Sequence, residues 1–520
     1  MKKKIKVYGN RGQQVEREIN YIPVRYIIAL LITAVEVLSI FAILVLLALY
    51  IPYFYLAIMA TVVGVVISII ASNDNPDYKV PWLLFVICVP IVGFMSYFLF
   101  YKRKLSKKFI RKINSINDSL SVDDKNNFVE LKKQDKLIAT QAIELCNIGK
   151  THLYKNTKIK YFSMGEEMHE AMLEELKKAN KFIFMEYFIV EEGVFWNSLL
   201  EILIEKAKQG VEIKVVYDDI GCMCTLPGNY YKILKKHGIE SVPFSRLKGQ
   251  ADSELNNRSH RKITVIDGKV GFTGGVNIAD EYINVKEVFG TWKDTGVMLK
   301  GEAVNELTKL FLSDFYINSK NKIVDFNKYY VDVKEENNSF VIPFGDGPNP
   351  IYDKNVGKIT IMNMLNQASD YVYITTPYLI IDNELMRAIE NASLRGVDVR
   401  LIVPHIPDKK LVFEMTKSNY KILMKSNVKV YEYKPGFIHS KFYLADDKVA
   451  MIGTINLDYR SLTHHFENGV WIYSDNSIYD MKKDFINTMN ESIYMNDKET
   501  KDKLINKFIR AIVRVFSPLL

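Results

Sequence analysis

Apolar residues follow two regimes along the chain. Up to residue 101 they come in long runs: 26–51, broken only by Glu36 and a few hydroxyls, then 54–71, then 80–101 after the polar stretch Ser72-Asn73-Asp74-Asn75-Pro76-Asp77. A membrane-spanning helix needs about 20 apolar residues, so the first and third runs are long enough and the second is borderline. A cleaved signal peptide has an apolar stretch of only about 7–15 residues, which these lengths exclude. Residues 1–101 are therefore expected to form a membrane anchor of two to three spans. Glu36 is costly in lipid and is expected to face another helix. The junction Ile51-Pro52-Tyr53 has no polar turn, so the middle run reads as re-entrant or tilted.

From about residue 151 the pattern changes to short β-rich runs alternating with helical stretches. Residues 181–190 read as a buried strand, 195–209 as a helix and 210–218 as a strand; the order recurs as 371–380, 383–395 and 396–404. Gly210 and Gly396 fall at the helix-to-strand corner, where positive φ is needed. Each half adds a third strand, 238–244 and 427–433, and then a His-containing strand. The halves are offset by 186 residues at the glycine corner and 179 at the histidine. The expectation is an α/β fold of two duplicated domains, 151–335 and 336–520, with mainly parallel sheets and pseudo-two-fold symmetry. Residues 102–150 are basic and then mixed in charge, and read as a juxtamembrane linker with helices. In 501–516, Leu504, Ile505, Phe508, Ile509, Ile512, Val513 and Phe516 share one helical face opposite Lys503, Lys507, Arg510 and Arg514. That is an amphipathic helix for a membrane surface or for packing on the domain.

Charge adds orientation. Lys2, Lys3, Lys4, Lys6, Arg11, Arg17 and Arg25 precede the first run, and Lys102, Arg103, Lys104, Lys107, Lys108, Arg111 and Lys112 follow the third. Both flanks belong in the cytoplasm, which requires an even number of spans and conflicts with three. The catalytic portion is expected to be cytoplasmic. The net charge of +9 in 520 residues fits an anionic membrane surface or nucleic acid. Four cysteines make no disulfide framework. Cys222-x-Cys224 has an unusual metal spacing and lacks a second pair, so no metal site is expected.

The chemistry lies in a repeated motif. Relative to His260, Lys262 is at +2, Asp267 at +7, Gly274 at +14 and Asn277 at +17; relative to His439, Lys441, Asp446, Gly453 and Asn456 stand at the same spacings. Residues two apart in a strand share a face, so each His and Lys point together. Apposed, the halves make a pocket of two imidazoles and two ammonium groups, suited to a phosphodiester. The lysines and Asn277 and Asn456 can hold non-bridging oxygens. One neutral imidazole can attack phosphorus; the other, protonated, can serve the leaving alkoxide and then act as base for the incoming hydroxyl. The lysines supply positive charge, and no GxxxxGK[ST] loop is present, so neither metal nor nucleotide cofactor is expected. The other histidines, His152, His169, His237, His405, His464 and His465, earn no such weight from spacing.

These paired motifs resemble those of the phospholipase D superfamily, and nearly the whole chain is similar to bacterial cardiolipin synthases of the phospholipase D type. The likeness includes Asp77-Tyr78-Lys79-Val80-Pro81-Trp82, Tyr217-Asp218-Asp219-Ile220-Gly221, Gly274-Gly275-Val276-Asn277, Trp292-Lys293-Asp294 and Asn456-Leu457-Asp458-Tyr459-Arg460-Ser461. The resemblance implies that two phosphatidylglycerols become cardiolipin and glycerol, with anionic membrane lipids as partners and no nucleic acid. It implies His260 as nucleophile and His439 as the acid that releases glycerol. Lys262, Lys441, Asn277 and Asn456 would hold phosphate, Asp267 and Asp446 would support the site, and Glu467 would orient a histidine. Gly274, Gly275, Gly453 and Thr454 would support them; Thr454 stands where Ser is commoner. His464-His465 stand where Asn is more usual, a departure that either tunes acceptor choice or packs, packing being the favoured reading. Rivals are a hydrolase of the same superfamily, a transphosphatidylase for another head group, a nuclease and a non-catalytic membrane scaffold. A homo-oligomer stays open.

Overall fold

The computed structural model describes residues 2–8, 14–20, 24–50, 52–98, 107–117, 120, 122–246, 257–319, 326–496, 514–515 and 517. The described residues fall into two compact units: those within 1–21, 106–246 and 257–501 form one, and those within 22–105 and 502–520 the other. The amphipathic helix expected over 501–516 lies almost wholly outside the described residues.

Among the described residues the smaller unit contains the helices α1 (Val24–Tyr50), α2 (Pro52–Ala71), α3 (Pro76–Cys88) and α4 (Pro90–Ser96). Two are long and apolar enough to cross a membrane, with spans at Leu30–Leu47 and Tyr53–Ala71. This revises the sequence expectation. The middle run is a continuous helix, because Pro52 sits at the helix start where its missing N–H costs nothing. The third run is instead cut at Val89-Pro90 and folds back. Trp82 in α3 and Tyr97 just past α4 meet edge-to-face, ring centroids 5.9 Å apart. A straight helix would separate them by about 22 Å. Gly93 makes the reversal possible: a Cβ there would lie 2.5 Å from the Val86 Cα and the Phe85 carbonyl. Glu36, expected against another helix, is exposed on α1.

The larger unit carries the duplication. The first half is a seven-stranded sheet ordered Thr157–Phe162, Gly296–Gly301, Val270–Gly274, Ile263–Ile266, Phe182–Tyr187, Glu212–Asp218, Glu240–Phe244. The second repeats that order with Phe340–Asp346, Glu467–Tyr473, Val449–Gly453, Phe442–Ala445, Tyr371–Thr375, Asp398–Pro404 and Lys429–Tyr433, then adds Ser492–Tyr494 at the edge. The sheets are mixed rather than mainly parallel. Phe182–Tyr187 runs parallel to Glu212–Asp218, but antiparallel to Ile263–Ile266. A tight reversal after each motif strand adds a further antiparallel pair, Ile263–Ile266 with Val270–Gly274 and Phe442–Ala445 with Val449–Gly453: Asp267 (φ 53°) and Gly268 (φ 67°) turn the first, Asp446 (φ 55°) and Asp447 (φ 56°) the second. Such turns need positive φ, which Asp, Asn and Gly tolerate. Gly210 and Gly396 do take positive φ, 88° and 96°.

Residues of helix Val194–Lys208 at helical spacing, Phe195, Trp196, Leu199, Leu200, Leu203 and Ile204, pack into the first core. Helix Val304–Asn318 is buried along nearly its whole length. It packs on strands of both sheets, including Phe340–Asp346 of the second half. Residues 102–150, read from their charge as a linker, contribute three helices, Lys107–Asn117, Lys125–Gln134 and Lys136–Gly149. These belong to the larger unit: Trp471 Nε1 donates to Gln141 Oε1 at 2.7 Å, and Lys112 Nζ to the Tyr316 carbonyl at 3.0 Å. Residues 2–8 and 14–20, read as a basic flank, pair as an antiparallel hairpin.

Candidate active site

The two motif strands place His260 and His439 where the halves meet, and the backbone sews that seam. The His260 N–H donates to the Phe466 carbonyl at 2.8 Å, and the His439 N–H to the Lys293 carbonyl at 2.7 Å. Strand Gly436–Ile438 runs parallel to Thr291–Lys293, and Ser259 bridges Phe466 in the same way. Each half therefore hands the segment after its motif to the other half's histidine.

The consequence is an exchange of carboxylates. His260 Nδ1 lies 2.9 Å from both oxygens of Glu467, and His439 Nδ1 lies 2.6 Å from Asp294 Oδ2. Sequence reading found Glu467 by resemblance but gave Asp294 no role. The available signal was Trp292-Lys293-Asp294, whose two-fold counterpart is His465-Phe466-Glu467. With Nδ1 engaged, each ring keeps Nε2 for a substrate. The Thr454 hydroxyl donates to Glu467 Oε2. Its counterpart Gly275 has no side chain because none fits: a Cβ there would lie 2.0 Å from Asp294 Oδ1. Gly274 and Gly453 permit close strand approach, since a Cβ would stand 2.4 Å from the Thr295 carbonyl or 2.3 Å from that of Asn468.

Lys262 Nζ donates to the His260 carbonyl at 2.7 Å, and Lys441 Nζ reaches His439 Nδ1 at 2.7 Å. Both lysines are fully buried. Burial brings Lys262 down to about 7 and Lys441 to about 8. Burial also raises Asp294 and Glu467 to about 7 each. It holds both motif imidazoles well below their usual value, reinforced by the two lysines. All six groups thus titrate away from their solution values in the direction that burial dictates, a pattern typical of reaction sites.

The remaining motif residues divide. Asn277 Oδ1 accepts from the Ile189 N–H at 3.1 Å and its Nδ2 donates to Tyr282 Oη at 2.8 Å, so its amide is committed to the fold. Asn456 keeps a buried carbonyl oxygen without a partner among the described residues. Asp267 and Asp446 sit outside the reaction centre, at the far ends of the motif strands. Asp267 accepts from the N–H groups of Asn180, Lys181 and Phe182 at 2.7–2.9 Å. Asp446 accepts from those of Ser369, Asp370 and Tyr371 at 2.7–2.9 Å. Five residues of strand put them about 16 Å along from Lys262 and Lys441. They hold the start of the neighbouring strand.

Other charged residues brace the site from below. Arg258 forks onto Asp218 at 2.9–3.1 Å, and Asp218 also accepts from the N–H groups of Ile220 and Gly221. Arg261 pairs with Asp314 at 3.0 Å inside the protein. Of the six discounted histidines, His465 joins the site: its ring centroid is 5.7 Å from that of His260. His152, His169 and His405 bond Glu306, Ser198 and Glu432 elsewhere. His260, His465 and Glu467 bring three potential metal-binding atoms within 4.8 Å of one another. The ammonium of Lys262 opposes a cation there, and the histidine–carboxylate contacts account for the cluster without one. Cys222 and Cys224 are free thiols.

Comparison with known proteins gives the family. The family profile described as cardiolipin synthase, phospholipase D-like domain matches residues 172–314 and 361–489, and one described as phospholipase D-nuclease N-terminal matches 60–100. An uncharacterized protein of Streptococcus mutans is 41% identical, over 88% of this chain and all of that one. A cardiolipin synthase of Alkalihalophilus pseudofirmus is 33% identical over 88% of this chain and 92% of its own. Cardiolipin synthase 2 of Bacillus anthracis is 32% identical over 89% and 90%. The crystal structure of phosphatidylserine synthase from Haemophilus influenzae superposes with a TM-score of 0.56 at 15% identity, covering 73% of this chain and 98% of that one, a likeness of fold.

Proposed function

The chain belongs to the cardiolipin synthase family of phospholipase D-like proteins, and from that membership we propose that it transfers a phosphatidyl group from one phosphatidylglycerol to another. The exchange of carboxylates between halves carries the reading: His260 on Glu467 and His439 on Asp294 make two matched acid–base pairs facing one seam. His260 Nε2 attacks phosphorus, and the P–O bond to glycerol breaks as His439, charged against Asp294 once the anionic phosphodiester is bound, gives that oxygen its proton. The primary hydroxyl of a second phosphatidylglycerol then loses its proton to His439 and attacks the phosphatidyl-histidine. The P–N bond breaks, releasing cardiolipin and restoring neutral His260. One phosphodiester replaces another, so the exchange needs no outside energy source. Lys262 and Lys441 bind the non-bridging oxygens, whose charge is least screened in a buried site.

The anchor supports a multi-pass protein with its catalytic unit in the cytoplasm. Two spans plus a helical hairpin that enters and leaves on one side make an even number of crossings. Both basic flanks then share the cytoplasmic face, and the conflict with three spans disappears. The exposed Glu36 on α1 favours a second copy as its polar partner in lipid.

The test is to incubate the purified protein with phosphatidylglycerol in mixed micelles and identify products by mass spectrometry, alongside His260→Ala and His439→Ala. Cardiolipin and glycerol, lost in both variants, is the expected result. Phosphatidic acid alone would make the protein a hydrolase, and turnover surviving in either variant would refute the two-histidine mechanism.

A further inference from the structure

The pseudo-two-fold axis relates the two carboxylates, and it also relates the residues two positions before them, Trp292 and His465. Each ring lies against the histidine that its half serves. Trp292 is 5.6 Å from His439 and His465 is 5.7 Å from His260, centroid to centroid. Both are enclosed: Trp292 is 8% exposed and the His465 side chain 11%. Yet Trp292 Nε1 and both ring nitrogens of His465 have no hydrogen-bond partner among the described residues. The nearest carboxylate oxygen to His465 Nδ1 is Glu467 Oε1 at 3.8 Å, too far for a hydrogen bond. A buried N–H left unpaired costs about 1–3 kcal/mol. Two such groups at symmetry-related places beside the two catalytic rings are best explained by a ligand that satisfies both.

We propose that Trp292 and His465 are substrate-binding residues that divide the phosphodiester between them, an inference that rests on the reaction proposed above. In-line displacement puts the attacking nitrogen and the leaving oxygen on opposite sides of phosphorus. The alcohol therefore leaves and enters beside His439, where Trp292 lies. The indole N–H donates to a hydroxyl of that glycerol unit, and its ring face covers the polyol's C–H edge. Tyr282 and Phe437, with centroids 4.7 and 4.8 Å from Trp292, hold the ring in place. His465 lies on the other side and bonds an oxygen of the phosphatidyl group carried by His260. In this proposal the departure at His465 is a contact residue, where the sequence favoured packing. Water offers neither the second hydroxyl nor the apolar edge, so Trp292 also selects glycerol over hydrolysis.

The experiment uses the full chain in phosphatidylglycerol mixed micelles. It follows the exchange of isotope-labelled glycerol into phosphatidylglycerol together with the ratio of phosphatidic acid to cardiolipin. Trp292→Phe keeps the ring and removes the N–H; His465→Phe removes both nitrogens. Melting temperatures establish that both variants fold. Trp292→Phe is expected to raise the KM for glycerol about tenfold and to increase the phosphatidic acid share, with the KM for phosphatidylglycerol in hydrolysis within about twofold. His465→Phe is expected to raise the phosphatidylglycerol KM about tenfold and leave the glycerol KM unmoved. KM values that stay put in both folded variants overturn the inference alone, as does a fall in kcat only. The reverse pattern overturns the division of roles. No phosphodiester turnover by the unsubstituted protein overturns the proposed reaction and this inference with it.

Discussion

A neutral amide in place of either carboxylate keeps the shape of the site but not its charge. Glu467→Gln and Asp294→Asn are expected to lower kcat by about 10²–10⁴-fold with little change in melting temperature, measured by product formation and thermal unfolding. The pH dependence follows from the same groups. As pH rises, Lys262 (about 7) and Lys441 (about 8) lose protons and with them their hold on an anionic phosphodiester. As pH falls, Glu467 and Asp294 (about 7 each) gain protons and no longer stabilise a charged imidazole. kcat/KM should therefore peak between about 7 and 8 and fall on both sides. A profile flat across about two units on either side of the peak contradicts this assignment. Asp267 behaves differently. Its carboxylate bonds only backbone N–H groups, so Asp267→Asn should cost about 1–2 kcal/mol of stability by denaturant titration while kcat of the folded protein is retained. At this scale the sequence was legible where spacing repeats. His260, Lys262, His439 and Lys441 followed from two copies of one pattern. Asp294 and Trp292 did not, because their distances from the motif, 34 and 32 residues after His260, differ from those of Glu467 and His465, 28 and 26 after His439.

Elements transmit the motif's geometry. Gly275 lies where the strand Val270–Gly274 ends, and Gly275→Ala would drive a methyl into Asp294. The expected result is a folded protein with activity as low as that of Asp294→Asn, measured side by side; near-normal activity would mean that the carboxylate can move away freely. In the anchor, Gly93 plays the corresponding part. Gly93→Leu cannot keep α4 against the Phe85–Val86 backbone, so the hairpin should open. Fluorescence of Trp82, which now rests on Tyr97, would report it through a shift in emission. Sequence patterns fixed the existence of these elements but not their pairing. An apolar run of 22 residues reads the same whether it crosses the membrane or doubles back at Val89-Pro90. An alternating strand–helix pattern likewise does not declare its sheet mixed. The Asp-Gly pair after the first motif strand was the available signal of reversal.

At the scale of the whole molecule, an even number of crossings predicts where the chain emerges. In intact cells, a cysteine placed at Tyr53 should react with a thiol reagent that does not cross membranes, while cysteines at Asn73 and Lys104 should react only after lysis. Three full spans would expose Lys104 to the outside reagent. Duplication and the apolar anchor were determined by the sequence alone, since each depends on periodicity or run length. Only the tertiary structure decided which carboxylate serves which histidine, that residues 107–149 belong to the catalytic unit, and that His465 is part of the site. Those facts depend on contacts between segments as far apart as His260 and Glu467, and no local pattern encodes a pairing that arises when two folded halves meet.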